Sequence, residues 1–158
     1  MKKVDKEEEE TNLEVLLGEG YAARVKERGM VVNGWVEQEE ILRHRAVGGF
    51  VSHCGWNSVT EAAMAGVRVL AWPRGADQRV NGEVVRRSRV GVWMEKWWWE
   101  AEEGVVSGEE IGRRVREMME DEELRLLAER VREESRKAVE VGGSSDEVWK
   151  QFIGKFQV

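Results

Sequence analysis

The sequence predicts an α/β domain built on a parallel sheet, and three observations lead there. Between residues 47 and 94, short apolar runs of strand length alternate with helical patterns. Each helix is long enough to carry the chain back across a sheet, as parallel strands require. The remaining residues carry helical periodicity with start and stop signals rather than strand alternation. At 158 residues the chain has the size of one ordinary domain, and residues 1–158 are read as such.

The elements follow in order. Residues 1–10 form a charged run, Lys2 to Glu10, expected to be solvated and mobile. A weak helical pattern, Leu13, Leu16 and Leu17, ends near Gly18 and Gly20, and a second spans Tyr21 to Arg28 with Gly29 as its stop. Met30, Val31 and Val32 read as a short buried strand before Asn33-Gly34. Glu39 to His44 reads as a short helix, Val47 to Ser52 as a strand, and Ser58 to Ala65 as a helix ended by Gly66. Val67 to Trp72 is the next strand, closed by Pro73. Asp77 to Arg87 is helical with Val80, Val84 and Val85 on one side, and Val90 to Met94 is a further strand. Ser107 and Glu110 form a capping box ahead of Ile111, Val115, Met118 and Met119. Asp121 caps a helix with the stripe Leu124, Leu127, Ala128, Val131, Ala138 and Val139. Gly142-Gly143 breaks it, and Ser144 with Glu147 makes a capping box for a last helix whose Val148, Trp149, Phe152, Ile153 and Phe156 face one way.

Composition narrows the function. Hydrophobic residues make up 41% of the chain, charged residues 35%, and the net charge is −6. Nucleic acid and anionic membrane are therefore poor partners, and any bound phosphate must be held locally. A single cysteine, Cys54, permits no intrachain disulfide. No apolar run is long enough for a signal peptide or a membrane span, so a cytoplasmic location is expected. Eight tryptophans, three of them consecutive at Trp97, Trp98 and Trp99, are a heavy load for this length. The abrupt charged opening reads as the interior of a longer protein.

The chemistry concentrates in His53-Cys54-Gly55-Trp56-Asn57-Ser58, between a strand and a helix. A helix start offers unpaired N–H groups and the positive end of the dipole, and so can hold an anion. Gly55 suits tight chain reversal, Asn57 and Ser58 add polar side chains, and His53 ends the strand. Ordinary helix capping by Asn57 or Ser58 is the commoner use of such a loop, so the loop alone leaves both readings open. Cys54 beside His53 is not a nucleophile pair, because neighbours on extended chain point to opposite faces. Trp35 offers a flat platform for a base, or packs in a core. Glu61 could accept from ribose hydroxyls, and Asp77-Gln78 from and to a sugar; each has an ordinary helix-surface reading beside it.

The joint spacing decides between them. Trp35, Gln38, Ile41-Leu42, His44, Ala46, Phe50, the HCGWNS core, Glu61, Gly66-Val67, Pro73 and Asp77-Gln78 fall within 44 positions from Trp35 to Gln78. That order and length resemble the plant secondary-product glycosyltransferase box, the signature of plant-type UDP-dependent glycosyltransferases. The resemblance implies a Rossmann-like parallel sheet with helices on both faces, the C-terminal half of a GT-B enzyme with two domains across a cleft. It implies that Trp35 stacks on uracil with the Val36 backbone at the base edge, and that Gln38 and Glu61 hold the ribose. His53, Asn57 and Ser58, with amides around Gly55, would bind the diphosphate, and Trp56, Asp77 and Gln78 the sugar. Gln78 is the form usual in glucose users. The reaction implied is hexose transfer with inversion to a small plant metabolite such as a flavonoid, with the UDP-sugar as co-substrate and neither metal nor cofactor.

The family's general base, a histidine oriented by an aspartate, and its acceptor pocket belong to the N-terminal domain. His44 and His53, the only histidines, both belong to the box, so no catalytic residue is expected in this chain. The implied chain binds donor without transferring it. A subunit of a split enzyme and an inactive remnant are the alternatives. Residues 144–158 would dock on the N-terminal domain, leaving their apolar face in solvent without it. Val36-Glu37 replaces the frequent Ala-Pro, and Arg68 stands where proline is frequent, its guanidinium expected to reach an edge. Glu37, Gly75-Ala76 and the opening Lys-Val-Asp-Lys-Glu run resemble the plant flavonoid C-glycosyltransferases.

Overall fold

A computed structural model describes residues 17–18, 20–97 and 105–156. The chain divides into two compact units, Met1–Glu37 and Gln38–Val158. The charged opening, Leu13, Leu16, Trp98 and Trp99 lie outside the described residues.

In the first unit, α1 (Tyr21–Val25) follows Gly20, which holds the left-handed φ of 73° that glycine tolerates. Met30, Val31 and Val32 do not form the expected strand. They have no ladder partner, and Met30 is 85% exposed. An apolar triplet becomes a strand only when a neighbour takes up its N–H and C=O groups, and none does so among the described residues.

The second unit runs α2 (Gln38–Arg43), β1 (Gly49–Ser52), α3 (Trp56–Ala65), β2 (Arg68–Ala71), α4 (Gln78–Arg87) and β3 (Gly91–Trp93). It continues with α5 (Gly108–Glu120), α6 (Glu122–Val139) and α7 (Ser144–Gly154). The three strands are parallel in the order β1-β2-β3, with Gly49 opposite Arg68, Ser52 opposite Ala71, and Val69 opposite Gly91. Central β2 is buried along its whole length, as a strand covered on both faces must be. Its side chains alternate between two cores. Val69 and Ala71 join Leu42, Val59, Ala62 and Val85 from α2, α3 and α4. Leu70 joins Trp97, Met118 and Leu124 on the other side. This is the Rossmann-like arrangement with helices on both faces. Trp97 packs edge-to-face on Trp72, with centroids 4.8 Å apart, which accounts for one of the three consecutive tryptophans.

Several termini follow their local signals. Gly66 ends α3 at φ 72°, donating to Ala63 O, while the N–H of Val67 reaches back to Ala62 O. Ser107 Oγ accepts from the N–H of Glu110, and Asp121 accepts from that of Leu124 at 2.8 Å. The Ser144 capping box does not form. Ser144 is already helical, Gly143 is the cap residue without a side-chain bond, and the carboxylate of Asp146 accepts from the N–H of Gly142 instead. A Cβ on Gly143 would lie 2.2 Å from Lys137 O, so the turn into α7 is tight enough to admit only glycine.

Two other expectations change. Val80 and Val84 face outward, 67% and 40% exposed, and α4 buries Asn81, Gly82 and Val85. The rotation lets Gly82 approach Pro73 and Trp93, where a Cβ would stand 3.1 and 3.4 Å from their rings. Arg68 does not reach an edge. It is buried, and its guanidinium donates to Gly48 O, Met118 O and Met119 O at 2.9, 3.3 and 2.8 Å. The last two carbonyls belong to the C-terminal turn of α5, whose unpaired acceptors and negative dipole end favour a cation.

Candidate functional site

The loops that leave β1 and β2 emerge side by side at the carboxyl edge of the sheet, where the N–H of Trp72 donates to Ser52 O at 2.8 Å. In open α/β sheets this edge is where ligands bind. The first loop turns at Cys54, not at Gly55. Cys54 has a left-handed φ of 65°, whereas Gly55 has φ −57°. What Gly55 supplies is room: a Cβ there would lie 2.7 Å from Nε2 of His53, so the imidazole rests over the glycine. The Cys54 backbone is held from two sides, its N–H donating to Ser52 Oγ at 3.1 Å and its carbonyl accepting from Asn81 Nδ2 at 2.9 Å. Such a backbone costs on the order of 1 kcal/mol and persists only where its surroundings fix it. The Cys54 thiol is fully buried, and burial pushes it up to about 11 against a partly offsetting hydrogen bond from the Trp72 backbone. It is an inert structural thiol.

Neither Asn57 nor Ser58 caps α3. The helix starts at Trp56, two residues earlier than the sequence suggests, and its cap residue Gly55 makes no side-chain bond. The first intrahelical bond runs from the N–H of Val59 to Gly55 O. The preceding N–H groups thus stay available at the positive end of the helix, beside the exposed side chains of His53, Trp56 and Asn57.

Gln38 and Glu61, assigned together from the resemblance, do meet. Gln38 Nε2 donates to Glu61 Oε2 at 2.7 Å and to Ser58 Oγ at 3.2 Å. Ser58 is buried beneath this pair rather than standing in the loop. Gln78 turns its Oε1 to the N–H groups of Arg74 and Gly75, at 2.8 and 3.1 Å, which leaves its amide nitrogen to donate elsewhere. Ala76 beside it has a left-handed φ of 52°. Asp77 is exposed and its Oδ2 accepts from Asn81 at 3.0 Å. Trp35 and Val36 belong to the first unit, where Trp35 is 90% exposed. His44 closes a turn, Nδ1 accepting from the N–H of Ala46.

Asn81 is the residue sequence reasoning missed. Its signal was the four-residue step from Asp77, which puts both on one helix face. The arrangement can hold an anion at the start of α3, between one donor–acceptor pair at Gln38 and Glu61 and another at Asp77 and Gln78. Among the described residues, no group of three or more His, Cys, Asp or Glu side chains could hold a metal ion, and no helix is long and apolar enough to cross a membrane.

Comparison with known proteins bears on this geometry. The family profile for UDP-glucoronosyl and UDP-glucosyl transferase matches residues 20–124. UDP-glycosyltransferase 708G2 of Citrus unshiu is 47% identical over 98% of this chain and 32% of its own length. UDP-glycosyltransferase CGT of Oryza sativa subsp. indica is 54% identical over 87% of this chain and 29% of its own. Among solved structures, that of LpCGTa in complex with UDP superposes with a TM-score of 0.85 at 50% identity, covering 90% of this chain and 33% of LpCGTa. The chain thus spans about a third of the length of these relatives. On the family match and these identities, it belongs to the UDP-glucoronosyl and UDP-glucosyl transferases, as a C-terminal domain of the plant type within the GT-B fold.

Proposed function

We propose that this chain is the donor-binding part of a UDP-dependent hexosyltransferase that modifies a small plant metabolite of the flavonoid class. The observation that carries this reading is the uncapped start of α3 beneath His53, an anion site at the carboxyl edge of a parallel sheet. In it the diphosphate is held by His53, Asn57 and the amides from Gly55 to Ser58. Ser58, bonded to Gln38, supports this loop from below. Gln38 and Glu61 take the ribose hydroxyls, and the contact between them places both on one spot. Trp56, Asp77 and Gln78 face the sugar, and Trp35 and Val36 keep the base. The likeness to the rice UDP-glycosyltransferase CGT and to LpCGTa in complex with UDP supports the same donor.

As the sugar leaves, charge grows on the β-phosphate, and fixed N–H dipoles at a helix start stabilise that charge without reorganising. The proton of the acceptor must go to a base that neither box histidine provides, and the residues supplying it belong to a separate N-terminal domain. No metal takes part in this scheme, and the reaction proceeds in the cytoplasm.

Calorimetric titration of the chain with UDP and UDP-glucose tests the reading. Binding of both without transfer to a flavonoid is expected, and a folded sample that binds neither refutes it. The exposed aromatic face of α7 and the turn after it, with Trp149 60%, Phe152 51% and Phe156 70% exposed, favours one variation: a donor subunit that works with a separate acceptor-binding chain. Mixing the chain with the N-terminal half of a relative should then restore transfer, and continued inactivity of a bound pair speaks for a remnant.

A further inference from the structure

Asn81 is 6% exposed, and its side chain joins the two loops of the candidate site. Its Nδ2 has two hydrogens, one donated to the Cys54 carbonyl at 2.9 Å and the other to Asp77 Oδ2 at 3.0 Å. Both partners are acceptors only, so the amide can face no other way. One bond steadies a carbonyl next to left-handed backbone in the β1 loop. The second holds a carboxylate that is itself exposed and would otherwise sample its rotamers freely.

We propose that Asn81 is a positioning residue, which locks the Asp77 carboxylate to the anion-binding loop so that sugar and diphosphate are recognised in one fixed register. The proposal rests on the donor-site reading above. With Oδ2 held by Asn81, Asp77 keeps Oδ1 as its acceptor. With Oε1 held by Arg74 and Gly75, Gln78 keeps its amide nitrogen as its donor. The first turn of α4 therefore presents an acceptor and a donor, each set in orientation by a second bond, which suits a pair of neighbouring hydroxyls. A loose Asp77 would have to be ordered at each binding event, at the expense of affinity. The bond to Cys54 needs a side chain that reaches from α4 across to the loop after β1.

The test compares UDP with UDP-glucose on the 158-residue chain by calorimetry, in wild type, Asn81→Ala, Asp77→Ala and the double variant. Wild type should prefer UDP-glucose. Asn81→Ala should reduce that preference about five- to tenfold, as loss of a hydrogen bond to a charged group does, with UDP alone changed less than about twofold. The double variant should lose no more preference than Asp77→Ala, because both act through one carboxylate. If wild type binds neither ligand, the donor site itself is wrong. If it binds UDP, the proposal is overturned by equal affinity for UDP-glucose, by equal weakening of both ligands in Asn81→Ala, or by additive losses. Should Asn81→Ala fail to fold by circular dichroism, wild-type NMR decides instead. UDP-glucose should then shift the Asn81 side-chain amide signals beyond the shift caused by UDP, and identical shifts overturn the proposal.

Discussion

Around β1 and β2 the polar side chains of Ser52, Ser58, Arg68 and Asn81 are buried, whereas along α7 and just past its end the aromatic ones of Trp149, Phe152 and Phe156 stand in solvent. Each of these four has at least one partner. Ser52 accepts from the Cys54 N–H, Ser58 from Gln38, Arg68 donates to three carbonyls, and Asn81 ties Cys54 to Asp77. On α7 no residue is buried; Trp149 stacks on Phe152 at 5.8 Å, and Phe152 meets Phe156, just past the helix end, edge-to-face at 5.0 Å between centroids. Burying a polar group costs free energy unless its bonds are replaced, and exposing an apolar one forfeits the gain from burial. The two regions depart from the common pattern in opposite directions. The first departure fixes geometry inside the domain, and the second leaves a surface suited to contact with something else.

The sharpest way to break the first half of that comparison is Arg68→Met. It keeps the apolar stem but strips the Met118 carbonyl, which is buried, and the partly buried carbonyls of Gly48 and Met119 of their donor. We expect a loss of about 3 kcal/mol in urea unfolding; a loss below about 1 kcal/mol would show that the carbonyls find water. Gly55→Ala should act on binding rather than stability. The new Cβ meets only the far end of His53, 2.7 Å away, so the ring can move aside. UDP affinity should then fall about tenfold with stability changed by less than about 1 kcal/mol, and undiminished affinity would remove His53 from the site.

Phe152→Lys probes the second half. Stability should stay within about 0.5 kcal/mol of wild type, while sedimentation velocity at high concentration should show less self-association; equal association in both would mean that the face is not adhesive. The smallest effect belongs to Glu83, whose carboxyl is held down to about 2 by hydrogen bonds from the Arg86 and then the Arg87 guanidinium. Its folded value lies below the ordinary 4.5, so its contribution is present above that pH and lost as pH falls towards 2. The melting temperatures of wild type and Glu83→Gln should differ slightly near neutral pH and converge through that window, with the gap shrinking in salt.

What the sequence disclosed was local or carried by motif. Strand and helix alternation located β1 to β3, and Ser107 and Asp121 capped the helices that follow them. The box pairs Gln38 with Glu61, and the two side chains meet. What stayed hidden depended on distant partners. Met30 to Val32 form an apolar run of strand character but have no neighbour to pair with among the described residues, and α4 is turned so that Gly82 meets Pro73 and Trp93. Arg68, expected to reach an edge, instead meets the end of α5, a partner that no local pattern announces. Asn81 looked like any polar residue of a surface helix, since its two partners were a carbonyl 27 positions away and a carboxylate one turn back. The same holds for Gly55, chosen for the space it leaves to His53 and not for its backbone freedom.

The guanidinium of Arg68 also bears on the order of events in folding. Its partners lie 20, 50 and 51 positions along the chain, so the hydrogen bonds it makes close far larger loops than those within α3 or α4. Bringing such distant segments together costs chain entropy before any bond repays it, and contacts of this kind tend to form late. We expect the β1–α3–β2 segment, with the bond to Gly48 inside it, to assemble while α5 is still unattached, and the bonds to Met118 and Met119 to fasten α5 afterwards. An interaction absent from the transition state slows unfolding without hastening folding. Arg68 is therefore a latch, and Arg68→Met should raise the unfolding rate while leaving the folding rate nearly unchanged.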